Sequence, residues 1–198
     1  MDVLVRHWID LWQTLDQPPP AGLLEDLMRR HSEPQRHYHT LQHLRECLAL
    51  FDAVRDVAQR PADVALALWF HDAVYDVHAH DNEAASARLA VVSLSGTDQS
   101  MHVSDLVLAT RHDAAPAAGD AALVVDIDLA ILGATPARFR EYEQQIRAEY
   151  AHVPDEVYLA RRAALMRGFA LRSPIFSTPA IRARYESAAR RNLAPYLA

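Results

Sequence analysis

Lysine is absent from the 198 residues, and all 20 basic side chains are arginine. That excludes Schiff-base catalysis, a Walker-type lysine on a phosphate and a lysine general base. A single cysteine, Cys47, rules out an intramolecular disulfide and any paired-cysteine zinc or redox motif, and cytoplasmic is the expected compartment. Five glycines are too few for a hairpin-rich β fold. The longest uninterrupted apolar run, Val64 to Phe70, falls far short of the roughly 18 residues of a membrane helix, so no membrane partner is expected. The N-terminus, with Asp2 and Asp10 among its first residues, lacks a signal-peptide layout.

What is present is 51% hydrophobic and 23% charged, the composition of a single globular domain. Eleven histidines and 26 acids, with neither lysine nor a cysteine pair, point toward metal chemistry. The net charge of −6 is unevenly placed, at +5 over residues 155–198 and −11 before them. A globally acidic chain is a poor non-specific nucleic-acid binder, and the basic segment reads first as a solvated helix face, with a phosphate-facing surface as the alternative.

The apolar spacing predicts an all-α fold, with helices near 2–15, 20–31, 37–58, 62–75, 82–94, 101–112, 123–132, 136–151, 155–171 and 179–193. Thr135-Pro136 and Thr178-Pro179 are helix starts, Pro18 to Pro20 a turn, and 114–120 a small loop. The β-branched run Leu123 to Asp128 admits a second reading, a buried strand delivering the D-x-D of a haloacid-dehalogenase-like phosphatase. The absent lysine and the late position of the motif count against it. Trp8 and Trp12, four residues apart, read as a packing stripe, as do Tyr142, Tyr150 and Tyr158.

Histidines and carboxylates concentrate in a few places. In Trp69-Phe70-His71-Asp72 an apolar helix abruptly sets an imidazole beside a carboxylate, and burying both without a partner costs several kcal/mol. A divalent cation is one such partner, and a simple His–Asp hydrogen bond is the other. Upstream, in Arg36-His37-Tyr38-His39-Thr40-Leu41-Gln42-His43, His39 and His43 at i, i+4 share a helix face. Downstream come Thr110-Arg111-His112-Asp113 and Asp126-Ile127-Asp128-Leu129.

This ordered set, together with Asp81-Asn82-Glu83-Ala84-Ala85-Ser86 and the stretch from Tyr142 to Tyr150, resembles the HD-domain superfamily of metal-dependent phosphohydrolases over about residues 30–195. It is most similar to a bacterial subgroup without an agreed substrate. The resemblance implies a single HD-type helical domain over 1–198, with a metal-site core at about 30–133 and helices 136–195 packed on it. It also implies one divalent cation held by His43, His71, Asp72 and an aspartate of the D-x-D. Asp128 is preferred because a leucine-rich turn follows it, and Asp126 stays the alternative. Glu83, then Asp76, is the expected acid/base carboxylate. Arg36 is the expected phosphate clamp, ahead of Arg147 and Arg161, with His39 and His112 as further substrate-facing groups. Cys47, one turn after His43, reads as a small core residue.

The activity that the resemblance implies is hydrolysis of a phosphomonoester or phosphodiester, a nucleotide first, by a chain that could form a homodimer. Two imidazoles among the ligands favour Mn, Fe, Co, Ni or Zn over Mg. The competing readings are a metal- and nucleotide-binding sensory module without turnover and a metal-free helical scaffold.

Overall fold

The computed structural model describes residues 2–112 and 116–197, and among them there are helices and turns but no strand. All ten helices expected from the apolar spacing form. The chain divides into two compact units, Met1–Val125 and Asp126–Ala198.

The first unit contains α1 (Val3–Thr14), α2 (Leu23–Arg30), α3 (Leu41–Asp52), α4 (Pro61–Phe70), α5 (Asn82–Ser93), α6 (Ser100–Leu108) and most of α7 (Asp120–Asp128). Its centre is α4, in which every residue from Asp63 to Phe70 is buried. A helix apolar on all sides must be surrounded, and α4 touches α1, α3, α5 and α6. Burying side chains such as Leu66, Leu68 and Phe70 stabilises the unit by about 1.5–3 kcal/mol each. Trp69 packs edge-on against Trp8 at 5.0 Å between ring centroids, and its indole N–H donates to His7 Nδ1 at 3.3 Å. The tryptophans of α1 are therefore core, as their spacing predicted.

The ends of α4 are fixed by charge. The Asp120 carboxylate accepts from the backbone N–H groups of Gln59 and Arg60, both at 2.8 Å, where orphan donors precede the helix. Inside the first turn, buried Asp63 is paired with His102 Nδ1 at 2.7 Å and Arg60 Nε at 2.8 Å, joining α4 to α6.

The second unit contains the last residues of α7, a 3-10 turn at Leu129–Gly133, and α8 (Pro136–Glu149), α9 (Asp155–Ala170) and α10 (Pro179–Leu193). Gly133 lies against α10 so closely that an added Cβ would meet the Tyr185 carbonyl oxygen at 2.6 Å. Glu143 of α8 receives the buried Arg162 guanidinium of α9 and, at 3.0 Å, the Tyr196 hydroxyl. Arg190 donates to the Ala170 carbonyl at the end of α9, and Arg182 to Phe176 and Ser177. These arginines of the basic segment hold their own chain together.

The differences from expectation lie at helix ends. The helix expected over 62–75 stops at Phe70, and the one expected over 37–58 begins at Leu41 and ends at Asp52. The β-branched run is helical, so the D-x-D has no strand to deliver it and the dehalogenase-like reading is corrected. Its valines pack as core on α7 because tertiary burial overrides their strand preference. Of the loop expected over 114–120, residues 114 and 115 lie outside the described residues. No helix among the described residues is long and apolar enough to cross a membrane.

One buried histidine sets a pH dependence. His31, at the end of α2, uses Nδ1 on the Leu27 carbonyl at 3.0 Å, while its buried Nε2 has no hydrogen-bond partner among the described residues. Burial pushes it down from an ordinary 6.5 to about 4. As pH falls through 6.5 the unfolded chain takes up a proton that the folded chain refuses, so stability declines between about 6.5 and 4, by about 3 kcal/mol in all. His31→Phe is expected to flatten that limb, as read by urea unfolding from pH 7.5 to 4. An unchanged slope would show that His31 does not set it.

Candidate metal centre

The exit of α4 carries the His-Asp doublet. His71 is the C-cap residue, its N–H bonded to the Ala67 carbonyl at 2.8 Å, and Asp72 lies in the turn beyond. The doublet therefore leaves the helix instead of riding on its face. His71 Nδ1 is 2.9 Å from the Leu68 carbonyl oxygen. A carbonyl can only accept, so Nδ1 carries the proton and a neutral ring presents its lone pair at Nε2.

Opposite stands α3. Thr40, in extended conformation, caps it by accepting from the Gln42 N–H at 3.2 Å, and His43 and Cys47 follow on successive turns of one face. His43 Nε2 is 3.2 Å from His71 Nε2, Asp72 Oδ2 is 3.0 Å from His71 Nε2, and His43 Nε2 is 3.4 Å from Asp72 Oδ2. The two histidines are 2% exposed, and the Asp72 side chain is 17% exposed.

Those three edges match what one cation imposes. Donors about 2.05 Å from a tetrahedral ion lie about 3.3 Å apart, and donors about 2.1 Å from an octahedral ion lie about 3.0 Å apart. Hydrogen bonding serves the triangle less well. With both rings neutral, only His43 can bring a proton into it, so one edge is left acceptor against acceptor. Burial works to raise the Asp72 carboxyl, but the imidazoles of His71, His39 and His43 gathered around it outweigh burial. The carboxyl is held well below the ordinary range and is a ready anionic ligand. Within the first unit, two overlapping groups could each hold a metal ion, His43 with Cys47 and His71, and His43 with His71 and Asp72.

Arg36 is corrected from phosphate clamp to internal brace. Its side chain is fully buried beside Glu33. Nη1 donates to the carbonyls of His39 at 3.1 Å and Asp72 at 2.6 Å, Nη2 donates to Ala73 at 3.1 Å, and Nε donates to Glu33. Those bonds tie the turn of the doublet to the segment before α3, and a guanidinium so engaged cannot also grip a substrate. Arg147 is likewise engaged with Asp155 and the Tyr150 and Val153 carbonyls, while Arg161 is exposed.

His39 precedes the cap of α3, so it does not share a helix face with His43 as the i, i+4 spacing implied. It sits in the turn instead, half-buried, stacked on Tyr75 at 3.9 Å and 6.2 Å from the His43 ring. Asp76 is exposed and engaged in its own turn, where its carboxylate accepts from the His78 N–H at 2.9 Å. Glu83 is half-buried in the first turn of α5. His112 ends the 3-10 turn after α6 at a positive φ of 58°. In the second unit, Asp128 closes α7 and is half-buried. Asp126 accepts from the backbone N–H groups of Ser177 and Thr178 ahead of α10, which commits it to capping.

Reading by sequence set Cys47 aside as a core residue and did not single out His31. Cys47 carried a signal, its spacing of four from His43 on α3. His31, whose titration is coupled to Arg36, Asp72 and His71, carried none.

Arg36→Ala is expected to cost about 3 kcal/mol in urea unfolding, because it strands buried carbonyls, and to lower the metal content of the purified protein. Unchanged metal content would deny it the bracing of Asp72. Asp126→Ala is expected to cost about 2 kcal/mol through loss of the cap while leaving metal content unchanged. Metal loss in that variant would restore Asp126 as a ligand. No family model, curated protein or solved structure matches this chain.

Proposed function

We propose that the protein is a metal-dependent phosphohydrolase of the HD type acting on a phosphomonoester or phosphodiester of a nucleotide. The observation that carries this reading is the triangle of His43 Nε2, His71 Nε2 and Asp72 Oδ2 at 3.0–3.4 Å, with the His71 tautomer set by Leu68. In this proposal the three residues hold one divalent cation, and the fourth position is assigned to Asp128 by the resemblance alone. Two imidazoles with carboxylates favour Mn, Fe, Co, Ni or Zn over Mg. When bound, such a cation supplies Lewis acidity and lowers the pKa of coordinated water toward neutrality.

The residues of the chain do the rest. Asp72, ionised and only partly exposed, supplies the anionic ligand. Glu83 is the acid/base group, since the Asp76 carboxylate is engaged in its own turn. With Arg36 braced inside, the phosphate is met by His39, backed by the Tyr75 ring, and by His112.

The test is elemental analysis with a phosphate-release screen over nucleotides, run on the parent protein, Asp72→Ala, Asp128→Asn and Glu83→Gln. A bound first-row metal and phosphate release are expected in the parent, with metal lost in the two aspartate variants. Glu83→Gln is expected to keep its metal and lose about 10²–10⁴ in kcat. Activity surviving Asp72→Ala would sink the hydrolase reading. Metal retained without turnover of any phosphoester would identify a metal-binding sensory module, and a metal-free protein insensitive to chelator a helical scaffold.

A further inference from the structure

Helix α9 carries apolar residues on two opposite faces, and its own unit covers only one of them. Tyr158, Arg162, Met166 and Phe169, three or four residues apart, form the buried stripe. Val157, Ala160, Ala164, Gly168 and Leu171 repeat at the same spacing on the far side, and all five are exposed, Val157 to 41% and Leu171 to 70%. A surface helix ordinarily turns polar and charged side chains to water there. Of the ten large hydrophobic side chains exposed among the described residues, four, Val157, Leu159, Leu165 and Leu171, belong to α9 and the residue that ends it. Such a concentration marks a contact with another molecule.

Gly168 points the same way. A glycine inside a helix costs about 1 kcal/mol relative to alanine, and packing within the chain does not require this one, because an added Cβ would meet nothing within 4 Å. Gly133, pressed against the Tyr185 backbone, is the contrast. Together with Ala160 and Ala164, Gly168 lets a second backbone come close between the larger Val157 and Leu171.

The charges beside this face indicate what covers it. Glu156 and Arg167 are eleven residues, or about three turns, apart, so both flank the face on one side, the acid near the start of α9 and the guanidinium near its end. Neither side chain makes a hydrogen bond or ion pair among the described residues, whereas Arg147, Arg162, Arg182 and Arg190 are all engaged within the chain. A second α9 running antiparallel brings each Glu156 level with the partner's Arg167, giving two pairs about a twofold axis. In that register Ala160 falls between the partner's Ala160 and the partner's Ala164, so the two faces interleave. A parallel copy would instead bring like-charged ends together.

We propose that α9 is a homodimer contact, in which two copies pack antiparallel through Val157, Ala160, Ala164, Gly168 and Leu171, with each Glu156 paired to the partner's Arg167. A 16-residue helix is only about 24 Å long and falls short of the roughly 800 Å² that a standard interface takes from each partner, so the dimer is reversible and concentration-dependent. The contact does not depend on the chemistry of the metal centre.

Sedimentation equilibrium of the full chain, from micromolar to near-millimolar concentration, reads the contact, with circular dichroism as the check that each variant folds. The parent is expected to rise from 22.2 kDa toward twice that mass. Ala164→Arg, exposed in the single chain and central in the dimer, is expected to stay monomeric. Glu156→Arg and Arg167→Glu each turn two attractions into repulsions and are expected to weaken association about fivefold or more. The double variant carrying both reversals is expected to regain the parent's dimer. A parent that stays at 22.2 kDa throughout would overturn the proposal and leave this face to a different protein. A dimer untouched by Ala164→Arg would overturn it as well, as would a double variant no stronger than the single ones.

Discussion

Everything near the candidate centre depends on the burial of α4. A ten-residue helix with core contacts on all sides has one place to direct it and no freedom to rotate. Its C-terminal end, where carbonyls lack intrahelical partners, is where His71 and Asp72 emerge. The Leu68 carbonyl captures one ring nitrogen of His71, which turns the other toward His43. The metal-ready triangle is thus a consequence of how a fully buried helix ends.

The second constraint is the use of arginine. A chain without lysine has arginine as its only fixed cation, which made arginine the natural candidate to hold a phosphate. The structure instead uses Arg36, Arg147, Arg182 and Arg190 on backbone carbonyls at helix ends and turns. A planar guanidinium with five donors can bridge several carbonyls at once, which an ammonium does less well. The acids play the matching part at helix starts. Asp120 caps the approach to α4, Asp126 that to α10, and Glu186 receives the Ile175 and Phe176 N–H groups. Much of the charge that suggested chemistry is therefore closing helices.

That distinction explains what was legible. The all-α architecture and the placement of ten helices could be read from apolar periodicity, because a helix that buries one face must repeat it along the chain. The convergence of His43 with His71 and Asp72 followed from the resemblance carried by their ordered motifs. The settings of Arg36 and His39 differ from expectation for one reason. Each lies at or beyond a helix end, where periodicity stops and the backbone partner decides where the side chain points.

By itself the sequence determined the helical class, the central apolar helix, the absence of lysine and disulfide chemistry, and the residue types at the doublet. The tertiary structure alone decided which carboxylates are ligand-like and which are caps, because that depends on whose N–H groups lie within 3 Å. It also decided that Cys47 faces the histidine pair. Spacing places a side chain on a helix face, but what stands opposite is set by how α3 packs on α4.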